Sequence, residues 1–80
     1  IRTNNTDRIF INSTGNVGIG TTTPNASALL DLTSTTGSLL VPRMTTTQKN
    51  ALTPANGMIV YDSTLDKFQG YEAGAWANLI

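Results

Sequence analysis

The sequence predicts a mainly β fold, made of short strands and hairpins with one short helix. Three observations support this prediction. Apolar residues alternate with polar ones over short runs, which is the period of a half-buried strand. Clusters of Gly, Asn, Ser and Thr, which favour turns, separate these runs. A single segment, residues 45–48, has the pattern of a helix N-terminus instead.

The N-terminal part predicts a β-hairpin followed by a further strand. Arg8 to Asn12 and Val17 to Gly20 are strand candidates, and the cluster at 13–16 is the turn between them. Ala28 to Leu32 is the next strand. The glycines of residues 15–20 superficially match a phosphate-binding loop, but that loop needs a helix directly after it. No helix start follows, so we assign these glycines to turn geometry and close backbone approach.

The middle of the chain changes from strand to helix character. Ser38 to Val41 is predicted to be a strand that Pro42 ends, because proline has no backbone N–H for the ladder. Thr45 and Gln48 then fit the N-cap and N3 positions of a capping box. A helix is predicted from Thr46 to Leu52, and a proline soon after this segment closes it.

The C-terminal part predicts a three-stranded meander. Its strands are Met58 to Asp62, Phe68 to Tyr71, and Ala75 to Ile80. The first of them is apolar on both faces, which is typical of a strand inside a sandwich or an assembly. A chain of 80 residues has little material to cover both faces, and it contains neither Cys nor His for a disulfide or an ordinary zinc site. We therefore predict an oligomer.

These segments predict three consecutive parts that fold as one cooperative unit. Residues 1–37 form a fibre-like β-hairpin segment, residues 38–57 form a strand, corner and helix connector, and residues 58–80 form the meander. The two halves of the connector both need packing from elsewhere, because a helix this short is marginal alone. We expect Leu40, Met44 and Leu52 to contact another chain.

Composition argues against several function classes. The five basic and five acidic residues balance, and no clustered basic face for nucleic acid is visible. No apolar run reaches the roughly 20 residues of a membrane span. Catalysis lacks a Cys or His nucleophile–base pair, and Asp62 and Asp66 flank a hairpin turn, where aspartate commonly bonds nearby backbone. We predict no enzyme activity and no catalytic, cofactor-binding or metal-binding residue.

The aromatic residues leave two interpretations open. Tyr61, Tyr71 and Trp76, if exposed together, would form a stacking patch for a glycan or a receptor, because amphipathic rings suit such contacts. Alternatively, Trp76 and Phe68 fill the core or a subunit interface, since a small domain can rarely spare its largest apolar side chains.

Two elements together resemble those of bacteriophage tail fibres and related bacterial surface fibre proteins. Asn16 to Pro24 (NVGIGTTTP) is similar to their VGIGTTTP element, and Leu40 to Gln48 (LVPRMTTTQ) to their LLPRMTTAQR element. A proline-containing loop, Gly57 to Asp62 and Gly74 to Trp76 follow in the order found in those proteins. The resemblance implies a parallel homotrimer of interwoven β-structure in an extracellular appendage or on a virion surface.

The resulting hypothesis is a structural trimeric module of a phage tail fibre or a similar appendage, with a contribution to host attachment. Its partners would be its own copies, other fibre segments, and a host receptor or glycan. Two alternatives stay open: a receptor- or glycan-binding tip domain, and a bacterial surface adhesin or filament subunit of the same architecture. No receptor-binding residue follows from the resemblance.

Overall fold

The computed structural model describes all 80 residues and is mainly β, as predicted. It contains nine short strands in three sheets and one short helix. The chain divides into two compact units, Ile1–Leu39 and Leu40–Ile80. The predicted division at residues 37 and 57 is a finer one, and it stays a prediction.

The first unit begins with a hairpin that sequence analysis did not identify. Strands β1 (Arg2–Thr3) and β2 (Thr6–Asp7) pair antiparallel. Asn4 and Asn5 form the turn between them with φ of 51° and 58°. Asparagine is among the few residues that tolerate this left-handed region, and two consecutive positive φ angles are typical of a tight hairpin turn.

A three-stranded sheet completes the first unit and confirms the predicted hairpin. Strands β3 (Ile9–Ile11) and β4 (Val17–Ile19) are antiparallel, and β5 (Leu30–Leu32) pairs with β4 in parallel. In the hairpin turn, the Asn12 side-chain oxygen accepts a hydrogen bond from the Asn16 amide at 2.9 Å. This bond holds the turn closed from within, as turn-forming asparagines commonly do.

Two glycines of the first unit lie where the backbone passes close to itself. A Cβ at Gly18 would lie 2.6 Å from the carbonyl oxygen of Thr21. Gly20 has a φ of +81°, and a Cβ there would collide with the carbonyl of Thr33. No helix follows these glycines directly, since the next elements of the chain are strands. The structural interpretation of these glycines is therefore correct, and the geometry of a phosphate-binding loop is absent.

The second unit is a four-stranded sheet in the order β6-β7-β8-β9. The predicted meander is confirmed, since β7, β8 and β9 are joined antiparallel by two turns. β6 adds to the outer edge of β7 in parallel. The strands are Arg43–Met44 (β6), Ile59–Asp62 (β7), Lys67–Glu72 (β8) and Ala75–Asn78 (β9).

The prediction of a strand at Ser38 to Val41 is wrong. These residues form no strand, and pairing begins at Arg43–Met44, beyond Pro42. The backbone hydrogen bonds next to Pro42 explain why pairing can begin after the proline. The Tyr61 amide donates to the Pro42 carbonyl at 2.9 Å, and the Ser63 amide donates to the Met44 carbonyl at 2.8 Å. Proline still offers a carbonyl, so it does not end a ladder that uses it only as an acceptor.

Helix α1 (Thr46–Asn50) has the predicted start and ends two residues before the predicted Leu52. The Gln48 amide donates to Thr45 Oγ1 at 3.2 Å, and the Thr45 amide donates to Gln48 Oε1 at 3.0 Å. These two bonds confirm the capping box. Ala51 is the C-cap. A helix of five residues cannot persist alone, so its packing against the sheet must hold it.

Replacing Thr45 by Ala should destabilise the fold by about 1 kcal/mol, because an N-cap side chain satisfies an otherwise unpaired amide of the first turn. Chemical denaturation at a fixed protein concentration measures this change. Thr47→Ala is the matched control, since Thr47 is exposed within the same helix. An equal loss in both variants would show that the cap contributes nothing specific.

Candidate functional site

A buried ion pair connects helix α1 to the sheet of the second unit. Lys49 Nζ lies 2.9 Å from Asp62 Oδ2, and the side chains of the two residues are only 5% and 0% exposed. The Thr46 hydroxyl donates to both carboxylate oxygens, at 2.9 and 2.7 Å. Backbone amides of Thr64 and Leu65 donate to Oδ1 at 2.9 and 3.0 Å. Each oxygen of this buried carboxylate is thus fully bonded, which a buried charge requires.

These contacts set the protonation state of Asp62. Burial by itself raises the pKa of a carboxyl group. The bonds from Lys49, from the Leu65 amide, from the Thr46 hydroxyl and from the Thr64 amide outweigh this effect and lower the pKa of Asp62 from 3.8 to about 2. Asp62 is therefore ionised over the whole range in which proteins normally work.

The polar cluster extends across the sheet. Lys49 Nζ also donates to Gln69 Oε1, and the Gln69 amide nitrogen donates to Asn78 Oδ1 at 2.9 Å. The ammonium lies 5.7 Å from the ring centre of Trp76, within cation–π range. The helix thereby covers one face of the sheet with a network that has no unsatisfied buried side-chain atom.

The opposite face of the same sheet carries exposed apolar side chains. Residues that face each other in the register share a face, and alternate residues along a strand do too. We call the set formed by Ile59, Tyr61, Phe68 and Leu79 the open face. Ile59, Phe68 and Leu79 are 49%, 42% and 51% exposed, and Tyr61 is half-buried.

Neighbouring side chains of the open face contact each other. The rings of Tyr61 and Phe68 meet edge to face with centres 5.0 Å apart. Gly70 lies between Ile59 and Leu79, and a Cβ there would lie 3.0 Å from a Leu79 methyl group. Burial, the charge of Asp66 and a 3.4 Å hydrogen bond to it raise the pKa of Tyr61, which stays neutral. The centre of the face is therefore apolar, while Arg43, opposite Tyr61, and Glu72, two residues beyond Gly70, lie at its margins.

The structure does not bring the three predicted ligand-binding aromatics together. Tyr71 and Trp76 lie opposite each other on the helix-covered face, with ring centres 5.1 Å apart at an edge-to-face angle. The Tyr71 hydroxyl donates to the Gly74 carbonyl at 2.9 Å. Tyr61 lies opposite Phe68 in the register and therefore shares its face. Phe68 and Tyr71 are three residues apart on the same strand and point to opposite faces, so Tyr61 lies on the other face from Tyr71.

The three residues predicted to contact another chain occupy different settings in the second unit. Leu40 is 70% exposed in irregular backbone, and Leu52 is 39% exposed just after the helix. Met44 is half-buried on β6, opposite Asp62 and so on the helix-covered face. Their contact with another chain stays a prediction.

The role of Lys49 is not evident from the sequence, and that of Asp62 is only partly evident. The expected turn bonds of Asp62 are present at Thr64 and Leu65. The ion pair was not foreseen, because Lys49 looks like an ordinary solvent-facing helix residue. Thr46 and Lys49 are three residues apart and so share a helix face, but their residue types do not mark that face as the buried one.

The fold and these surfaces define a small β-rich module whose C-terminal sheet is covered on one face only. The chain belongs to the phage tail like trimerisation region family, whose model matches residues 18–80. No curated protein and no solved structure matches the chain. The structure contains no group of His, Cys, Asp and Glu that would hold a metal ion, and no helix long and apolar enough to span a membrane.

Acid should destabilise the fold through Asp62. Its pKa is lower in the folded chain than the ordinary 3.8, so its stabilisation is present above about pH 4 and is lost as the pH falls towards 2. The free energy of unfolding, measured at fixed protein concentration between pH 5 and about pH 2, should fall less steeply in Asp62→Asn than in the wild type.

Asp66→Asn is the matched control for this experiment, because Asp66 is an exposed carboxylate in the turn next to β7. It should keep the acid sensitivity of the wild type. Asp62→Asn should also be less stable at neutral pH, since it leaves Lys49 buried without a counter-charge. An acid response equal to that of the wild type would contradict the proposed role of Asp62.

Proposed function

We propose that this chain is a structural, non-enzymatic module that holds three copies together in a phage tail fibre or a similar extracellular appendage. The observation that carries the proposal is the open face, found in a chain whose family is described as a phage tail like trimerisation region. An exposed apolar sheet face needs cover, and neighbouring chains are the cover that this family description indicates. Closed threefold symmetry would satisfy all three copies equally.

The apolar core of the chain leads to the same proposal. Val60, at 4% exposure, is the one apolar residue that is buried outright. The side chains buried beside it, those of Lys49, Asp62 and Gln69, are polar. Because burial of apolar surface is the main stabilising contribution to folding, a single buried valine is a small share for a chain of this length.

Finer features of the module are part of the proposal. The connector at 38–57 would join a fibre-like segment at 1–37 to the meander at 58–80, with Leu40, Met44 and Leu52 touching a neighbouring chain. The high exposure of Leu40 and Leu52 supports this for those two residues. The module would adjoin other fibre segments on the virion surface and contribute to host attachment.

A second candidate function is a tip that binds a receptor or a glycan. The paired rings of Tyr71 and Trp76, both half-buried, favour it, because partly exposed aromatic rings stack on sugars. Tyr61 lies on the other face and would not join this pair within one chain. A bacterial surface adhesin or filament subunit is the third candidate, and it would share the same trimeric architecture.

The proposal predicts a trimer of about 25 kDa, three times the chain mass of 8.5 kDa, in sedimentation equilibrium. Ile59→Glu should shift the wild-type trimer towards monomer, because it places a carboxylate on the open face. Leu65→Glu is the matched control, since Leu65 is equally exposed but lies in the turn between β7 and β8.

A wild-type chain that is monomeric at micromolar concentration would contradict the proposal. Leu52→Asp, measured in the same way, tests the connector separately. It should weaken the trimer if Leu52 contacts a neighbour, and it should behave as the wild type if the connector is a surface loop.

Trp76→Ala distinguishes the structural role from the tip. We expect it to destabilise the fold by about 3 kcal/mol, because Trp76 packs on Tyr71 and over Lys49. Denaturation at fixed concentration measures this loss. A variant that stays folded and trimeric but loses binding on a glycan array would instead support the receptor- or glycan-binding function.

A further inference from the structure

The sheet of the first unit presents a second apolar surface. Its register places Ile9 opposite Ile19 and Ile11 opposite Val17. The parallel pairing with β5 then places Leu30 beside Val17 and Leu32 beside Ile19. Paired residues share a face. Six aliphatic side chains, two from each strand, therefore form one grid, and we call it the aliphatic grid: Ile9, Ile11, Val17, Ile19, Leu30 and Leu32.

Most of the aliphatic grid is open. Ile11, Leu30, Ile19 and Leu32 are 66%, 54%, 41% and 41% exposed, and the remaining two members are half-buried. A groove of about 460 Å³ continues from Ile19 and Leu32 to Leu39, which is itself 66% exposed. Contiguous apolar surface of this kind marks an interaction site, because single exposed apolar residues are ordinary but a continuous patch is not.

The other face of this sheet is partly covered by the chain itself. Gly18 is buried, with Thr21 folded directly over it. The Asp31 carboxylate accepts from the Asn25 amide at 2.9 Å and from the Thr33 hydroxyl at 3.1 Å. Asp31, the one charged residue of the three strands, thus lies away from the grid. The two faces differ in kind: the face of Gly18 and Asp31 is partly covered and also holds the half-buried Phe10, while the grid carries no charge and is mostly exposed.

We infer that the aliphatic grid is a second contact between copies of this chain, in which grids of neighbouring chains pack against one another. The inference rests on the proposed trimer and adds the surface by which the first unit joins it. A copy of the same chain fits because a grid without charges can meet its own image without placing like charges together. The grid also includes β3 and Val17, which precede the matched residues 18–80. Self-association would then extend beyond the region that the family model describes.

Leu30→Glu tests the grid, and Leu29→Glu is the matched control. Leu29 is the preceding leucine, is 79% exposed and lies outside β5. In a dilution series followed by sedimentation, Leu30→Glu should raise the concentration of half-dissociation at least about a hundredfold, because each chain would bring a carboxylate into an apolar contact. Leu29→Glu should stay within about threefold of the wild type.

A second measurement leaves the chain unaltered. In a trimer assembled from equal parts of isotope-labelled and unlabelled chains, the methyl groups of the grid should show nuclear Overhauser effects between chains.

Circular dichroism would first establish that Leu30→Glu keeps the β-structure of the wild type.

The possible results separate the grid from the trimer itself. If the wild type is trimeric and Leu30→Glu dissociates as Leu29→Glu does, the grid is not a contact, while the proposed function stands. If the sample is shown to be trimeric and the grid methyl groups give no nuclear Overhauser effects between chains, the grid is likewise not a contact. A monomeric wild type overturns the proposed function, and the inference with it.

Discussion

The ion pair between Lys49 and Asp62 is the contact on which the C-terminal unit depends. A five-residue helix has no stability of its own, and a four-stranded sheet needs cover on at least one face. The pair meets both needs, because Lys49 draws the helix onto the sheet and Asp62 receives bonds from the helix and from its own turn. A charge buried this deeply is stable only where its partners are fixed in place. The ends of α1 and β7 are therefore held at one relative position.

The same arrangement decides which face of the sheet is free. With Lys49, Gln69 and Asn78 bonded beneath the helix, the apolar members of β7 and β8 that point the other way have no cover of their own. The sheet of the first unit repeats this asymmetry by different means. There Thr21 closes the face above Gly18, and the aliphatic side chains remain on the other face. In each unit, short segments of the chain thus cover one face of the sheet, and apolar side chains stay exposed on the other face.

Particular residues show how far sequence alone could be followed. The capping box at Thr45 and Gln48 was predictable, because it depends on two side chains that reach backbone amides within the same turn. The strand near Pro42 lies after the proline and not, as predicted, before it. Proline can adjoin this ladder because only its carbonyl takes part, as the acceptor of a backbone hydrogen bond. The burial of Lys49 could not be predicted from the sequence, since it depends on a strand that begins ten residues later. The aromatic pair of Tyr71 and Trp76 was correctly placed on neighbouring strands, but the separation of Tyr61 from it requires the register.

The sequence by itself determined the local structure of this protein: a mainly β chain, the hairpin of β3 and β4, the C-terminal meander and the start of the helix. These features follow from alternation, turn residues and capping, which act between residues close in the chain. Only the tertiary structure decided which faces are closed and which are open. That outcome depends on Lys49 reaching Asp62 and on the parallel pairing of β5 with β4. Such contacts join segments that are distant in the chain. Their contribution to stability depends on side chains that no local sequence pattern brings together.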